Sequence, residues 1–110
     1  MPTIDEFFQT EIRIGTILQA EYFPAAKKPA IKLLIDFGPD IGLRRSSAQL
    51  TVHYKPEGLI GRQIAAAVNI GERNIGGFAS QVLVLGALPQ PTEVVLVSPD
   101  HPVPNGTRVG

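Results

Sequence analysis

Apolar residues recur along this chain mostly at every second position, with only brief stretches of helical spacing. In residues 12–19, Ile12, Ile14, Thr16 and Leu18 alternate with Arg13, Gly15, Ile17 and Gln19, the mark of a first strand in which Gly15 is a candidate bulge or bend. A second strand follows at 31–37, where Ile31, Leu33, Ile35 and Phe37 alternate with Lys32, Leu34 and Asp36 ahead of the turn residues Gly38, Pro39 and Asp40. A more polar third strand carries Arg44, Arg45, Ser46 and Ser47. The fourth is read at 63–70, where small alanines let a neighbour approach closely. A fifth lies at 81–88, and a shorter one at 92–98.

The segments between these strands carry their own signals. Thr3 and Glu6 form a capping box that starts a helix over 4–9, with Ile4, Phe7 and Phe8 on one side; that apolar stripe calls for cover by the barrel or by a second copy of the chain. Pro24 and Pro29 flank Lys27 and Lys28 in an exposed basic loop that cannot be a helix interior. Pro56 opens a single helical turn before the fourth strand, and 70–80 reads as a glycine-rich loop. Asn105-Gly106 tolerates positive φ and fits a type I′ hairpin turn. The order of elements predicts an all-β fold with small helices, a five-stranded OB-fold β-barrel. One domain, 1–110, would hold an N-terminal helix (1–11), the barrel (12–88) and a C-terminal β extension (89–110). A β-sandwich is the competing arrangement.

Composition narrows the function. Ten basic and ten acidic residues cancel, so nucleic acid would have to be held at a local site rather than by an overall cationic field. The absence of cysteine excludes a disulfide framework, a thiolate metal site and a cysteine nucleophile. The opening MPTIDEFFQTE puts acids where a signal peptide carries bases, and no apolar run approaches about 20 residues, so a cytoplasmic chain without membrane insertion is expected. His53 and His101 lie far apart and read as surface residues, and no hydrolase, Walker or dinucleotide motif occurs. No catalytic residue, metal ligand or cofactor is assigned, and a non-enzymatic binding protein is expected.

Lys27, Lys28, Lys32, Arg44, Arg45 and Arg73 fall in loops or on the second and third strands, where an OB fold presents ligands. Alternation sends Arg44 and Arg45 to opposite faces, and ordinary solvated charge is the competing account of the whole set. Arg13, central in the first strand, is expected to pair with a carboxylate such as Asp36. Phe78, between Gly77 and Ala79, is the best stacking candidate; otherwise it anchors a dimer or the core.

EIRIG, KLLIDFG, SSAQL, YKPEGLIG, AVNI and GGFASQVLVLG together resemble, in order and spacing, the tRNA-binding domain appended to some aminoacyl-tRNA synthetases and also found as free-standing dimers. Within that family the CsaA branch, described as export-related chaperones, carries KxPAIKLxIDFG, IGxxxSSAQxTxxYKPEGLI, GFxSxVLVLG and PDxPVPNGTxxG nearly as they stand here. The resemblance covers almost the entire chain. It implies an OB fold, a homodimer, and surfaces for RNA and for unfolded or secretory polypeptides, with the translocation motor SecA as a further partner. Ile4, Phe7 and Phe8 are the expected dimer contacts. Ser46, Ser47, Gln49, Asn69, Ser80 and Gln81 stand at the family's groove positions, suited to hydrogen-bond a phosphate, a base edge or a peptide amide; the competing account is that they satisfy buried loop backbone.

One stretch departs from the synthetase-associated domains, which read roughly NLKPRKMRGIESQGM. Here Asn69, Arg73, Gly77, Ser80 and Gln81 remain, but Gly71, Asn74 and Gly76 replace three basic residues, and Val82 and Leu83 replace a Gly and a Met. Each lost phosphate contact lowers the salt slope by roughly 0.9 for duplex-like RNA. A polypeptide chaperone on an RNA-binding fold is the first expectation, and a tRNA-binding module the second.

Overall fold

The computed structural model describes residues 1–110. The N-terminal capping box forms in both directions: Glu6 N–H donates to Thr3 Oγ1 and Thr3 N–H to the Glu6 carboxylate. The helix it starts, α1 (Ile4–Phe7), is shorter than the sequence suggests, because Gln9 and Thr10 donate only to the carbonyls three residues back and tighten the end into a turn.

The long strand β1 (Ile12–Tyr22) organises the sheet. Its second half pairs with β2 (Ile31–Asp36) and its first half with β4 (Gln63–Ala67). β3 (Leu43–Ala48) joins the far side of β2, and β7 (Leu83–Val84) the far side of β4. The resulting order, β3-β2-β1-β4-β7, is antiparallel at every step and curls into a nearly closed five-stranded barrel, as an OB fold requires. Two short helices punctuate it: α2 (Gly38–Ile41) follows β2, and α3 (Pro56–Leu59) lies between β3 and β4 with Pro56 and Leu59 buried.

Alternation on β2 places Ile31, Leu33, Ile35 and Phe37 inside, where they meet Ile17, Leu50, Leu59, Ile64, Ala66 and Val82 in one core. Gly15 serves packing and not a bulge. A Cβ there would come within 2.7 Å of both Ile35 and Phe37, while the register shift in β1 falls later, between Ile17 and Gln19.

Two hairpins complete the chain. The stretch read as a glycine-rich loop is a small hairpin, β5 (Arg73–Ile75) and β6 (Phe78–Ser80), turned by Gly76 and Gly77, both at positive φ as a type I′ turn demands. The predicted fifth strand divides at Leu85 into β7 and β8 (Gly86–Gln90), and β8 pairs with β9 (Glu93–Leu96).

Asn105-Gly106 forms no type I′ turn. Only Gly106 has positive φ, and Thr107 N–H closes onto the Pro104 carbonyl at 3.1 Å, the pattern of a type II turn. That turn docks the tail on β1: Gly106 and Val109 donate to Ile14 and Ile12, and Ile14 donates to Thr107. Arg13 reaches the Gly106 carbonyl at 3.0 Å and pairs with Glu11 at 2.5 Å; Asp36 instead accepts from Gly38 N–H. The hydrogen bond from Arg13, helped by the nearby charges of Arg13 and Arg108, holds the Glu11 carboxyl below the usual carboxylate range. No helix is long and apolar enough to cross a membrane.

Candidate binding groove at the barrel seam

Four antiparallel steps leave the end strands β3 and β7 running the same way, and the barrel must close between them. It does so mainly with side chains. Gln81 N–H donates to the Arg45 carbonyl, its own side-chain oxygen accepts from Arg45 N–H at 2.9 Å, and the Ser46 hydroxyl donates to the Val82 carbonyl at 3.0 Å. Ser80 Oγ accepts from Ser47 N–H at 3.1 Å. Ser46 and Ser80 are buried, at 1% and 7% exposure, and Gln81 also reaches Glu72. Asn69, two residues past β4, has a comparable task, accepting from Glu11 N–H and donating to the Gln9 carbonyl. Four of the predicted groove residues thus have side chains engaged within the chain, sealing the barrel and holding its loops.

Beyond Ser47 the two edges part and leave a groove of about 860 Å³. Ser47 and Gln49 line one side, and Leu83, Val84 and Leu85 the other. The basic loop brings Lys27 and Lys28 to the rim, and the β5–β6 hairpin brings Arg73. None of these three cations has an ion-pair partner in the chain. Five predicted residues therefore meet at one place: Lys27, Lys28, Ser47, Gln49 and Arg73.

Lys32 and Phe78 stand apart from them. Both line a second depression, of about 700 Å³, with Arg45, Leu18 and Ile60. Lys32 is paired with Glu21 at 3.0 Å and lies 5.3 Å and 5.4 Å from the ring centres of Phe23 and Phe78. Phe78 meets Phe23 edge to face at 5.5 Å, so it ties the hairpin to the basic loop while keeping part of its surface open.

The apolar floor of the groove is absent from the sequence-based site. Leu83 and Leu88, 51% and 61% exposed, lie in it with Val94. The signal was present in the VLVLGAL run, which lacks the polar alternation of a strand with one wet face. His53 contacts Glu93 at 2.5 Å and His101 contacts Asp100 at 3.1 Å, both at the surface. The stripe of Ile4, Phe7 and Phe8 is 75%, 46% and 40% exposed, so the barrel does not cover it.

The fold as a whole matches solved structures of known proteins. The structure matches that of the chaperone CsaA from Bacillus anthracis with a TM-score of 0.95 and 47% identity, covering 100% of this chain and 99% of that one. The CsaA chaperone protein from Picrophilus torridus gives a TM-score of 0.91 and 41% identity, with 100% of each chain covered. A methionine–tRNA ligase of Methanococcus aeolicus is 37% identical over 106 residues, which are 96% of this chain and 15% of the ligase. Residues 12–108 match the family described as "Putative tRNA binding domain". This chain belongs to that tRNA-binding domain family, and the solved structures it resembles include CsaA chaperones.

Proposed function

We propose that the protein is a non-enzymatic, cytoplasmic chaperone that holds unfolded or secretory polypeptide in the groove at the barrel seam. The observation that carries this reading is the pairing of an apolar floor, Leu83, Leu88 and Val94, with rim cations that have no partner in the chain. Exposed apolar surface of this kind, rimmed by polar groups, marks interaction sites. The names of the CsaA neighbours support the same reading. Stoichiometric protein should suppress aggregation of an unfolding client as followed by light scattering, and failure to do so would remove the proposal. In this reading the open stripe of Ile4, Phe7 and Phe8 joins two copies, and sedimentation at micromolar concentration should return a dimer mass. SecA is the further partner the resemblance suggests, to be tested by direct binding.

A second reading, tRNA binding, is favoured by the convergence of Lys27, Lys28 and Arg73 on one rim and by the family itself. Charge reversal at Lys27 or Arg73 should then weaken binding to different tRNAs about equally and flatten its salt dependence, because the contacts go to phosphate. An unchanged affinity and salt slope in anisotropy titrations would exclude it.

A further inference from the structure

The gap between β3 and β7 has the chemistry of a sheet that lacks one strand. On the β3 side the ladder direction offers Arg45 and Ser47 to the seam; their amides are taken by Gln81 and Ser80, while Gln49 N–H, in the turn just past the end of β3, has no acceptor in the chain. On the other side Leu85 N–H bonds to Ala65, towards β4. Backbone direction alternates along a strand, so Val84 turns its N–H and C=O away from β4 and into the groove it lines. β7 has no ladder partner on that side. Because β3 and β7 are parallel, one strand between them can run antiparallel to both.

We infer that an extended polypeptide segment adds to the barrel here as an extra strand, with apolar side chains over Leu83 and Leu88 and an acidic one beneath Lys27, Lys28 and Arg73. This rests on the polypeptide reading above and specifies its mode and sequence preference. The edges offer donors and acceptors together, which suits a peptide backbone; a phosphate chain would use only the donors. The aromatic pair Phe23 and Phe78, a platform that bases would need, lies outside the groove lining. The unpaired rim cations select acidic residues on the face of the incoming strand that meets the rim, and the apolar floor selects apolar residues on the opposite face.

The test uses the intact protein and a labelled peptide of about eight residues, alternating valine and glutamate. Two analogues carry N-methyl groups at every second residue, one in each phase, and a third has glutamine for every glutamate. Anisotropy should show the parent binding and the N-methylated analogues weaker, the one whose methyl groups face Val84 by about fivefold, the loss of one net main-chain hydrogen bond. The glutamine analogue should bind more weakly and lose its salt dependence, and Lys27→Glu/Lys28→Glu should have the same effect on the parent peptide. Amide exchange at Gln49 and Val84 should slow when peptide is added.

Equal binding of parent and N-methylated peptides would overturn strand addition while leaving the polypeptide reading in place. No binding of any peptide, together with no suppression of client aggregation, would overturn the reading itself. Protection of Gln49 and Val84 by tRNA and not by peptide would assign the gap to RNA, and protection that rises with protein concentration alone would assign it to a second copy. Either result defeats the inference.

Discussion

Two adjacent serines should behave in opposite ways when replaced by alanine. Ser46 is 1% exposed, and its hydroxyl donates to the carbonyl of Val82, itself 4% exposed. Ser46→Ala keeps the register of β3 against Leu33 but leaves that buried carbonyl without a donor, a loss of about 1–3 kcal/mol. For a domain of this size the melting temperature should fall by roughly 5–15 °C. Ser47 uses its backbone N–H at the seam, but its hydroxyl bonds to nothing in the chain and lines the groove. Ser47→Ala should therefore cost less than about 0.5 kcal/mol in stability and weaken ligand binding. Thermal unfolding followed by circular dichroism, with urea titration as a second measure, separates the two. Equal losses for the two variants, or an unperturbed Ser46→Ala, would mean that the side-chain seam does not hold the barrel closed.

Other predictions address the packing and the tail. Gly15→Ala should destabilise by about 1–3 kcal/mol in urea titration, because its Cβ would meet buried Ile35 and Phe37, each at 2.7 Å. Gly77→Ala meets no neighbour but must hold φ near 84°, so a cost of about 1 kcal/mol should appear as faster amide exchange confined to the β5–β6 hairpin. The lowered carboxyl of Glu11 makes the tail sensitive to acid: its contribution is complete above the ordinary carboxylate range and is lost as pH falls through the depressed value. The protection factors of Gly106 and Val109, the exchange rates divided by the intrinsic rates at each pH, should thus fall on acidification. In Glu11→Gln they should already be lower at neutral pH and should no longer fall with pH.

Where burial follows one face of a long strand, the pattern could be read directly, and the alternation through β2 places Ile31, Leu33, Ile35 and the following Phe37 in the core. The β5–β6 hairpin was less legible because its strands have three residues each, too few to display a period, and only the Gly76-Gly77 pair signalled the turn. Asn105-Gly106 carried a true turn signal, but its geometry was set by docking on β1, where Asn105 accepts from Thr16 at 2.7 Å and from Gln63 at 3.2 Å. The site was split for a similar reason. A serine hydroxyl that serves the ligand and one that bonds a carbonyl 36 residues away look alike in sequence, and closure of the barrel separates Ser47 from Ser46. Lys32 likewise joins the other cations by composition, yet strand direction carries it to Glu21 and the two phenylalanines.

The tail that pairs with the start of β1 also bears on how the chain folds. Arg13 and Gly106 are 93 residues apart, so this pairing closes nearly the whole chain into a loop and brings a large entropic cost and slow formation. Until residues 106–109 have been synthesised, Ile12 and Ile14 present an unpaired edge beside apolar side chains, the kind of edge that recruits other chains. During its own synthesis a protein read here as a holder of extended polypeptide is itself an aggregation-prone substrate, and truncation before Gly106 should turn a soluble product into an insoluble one.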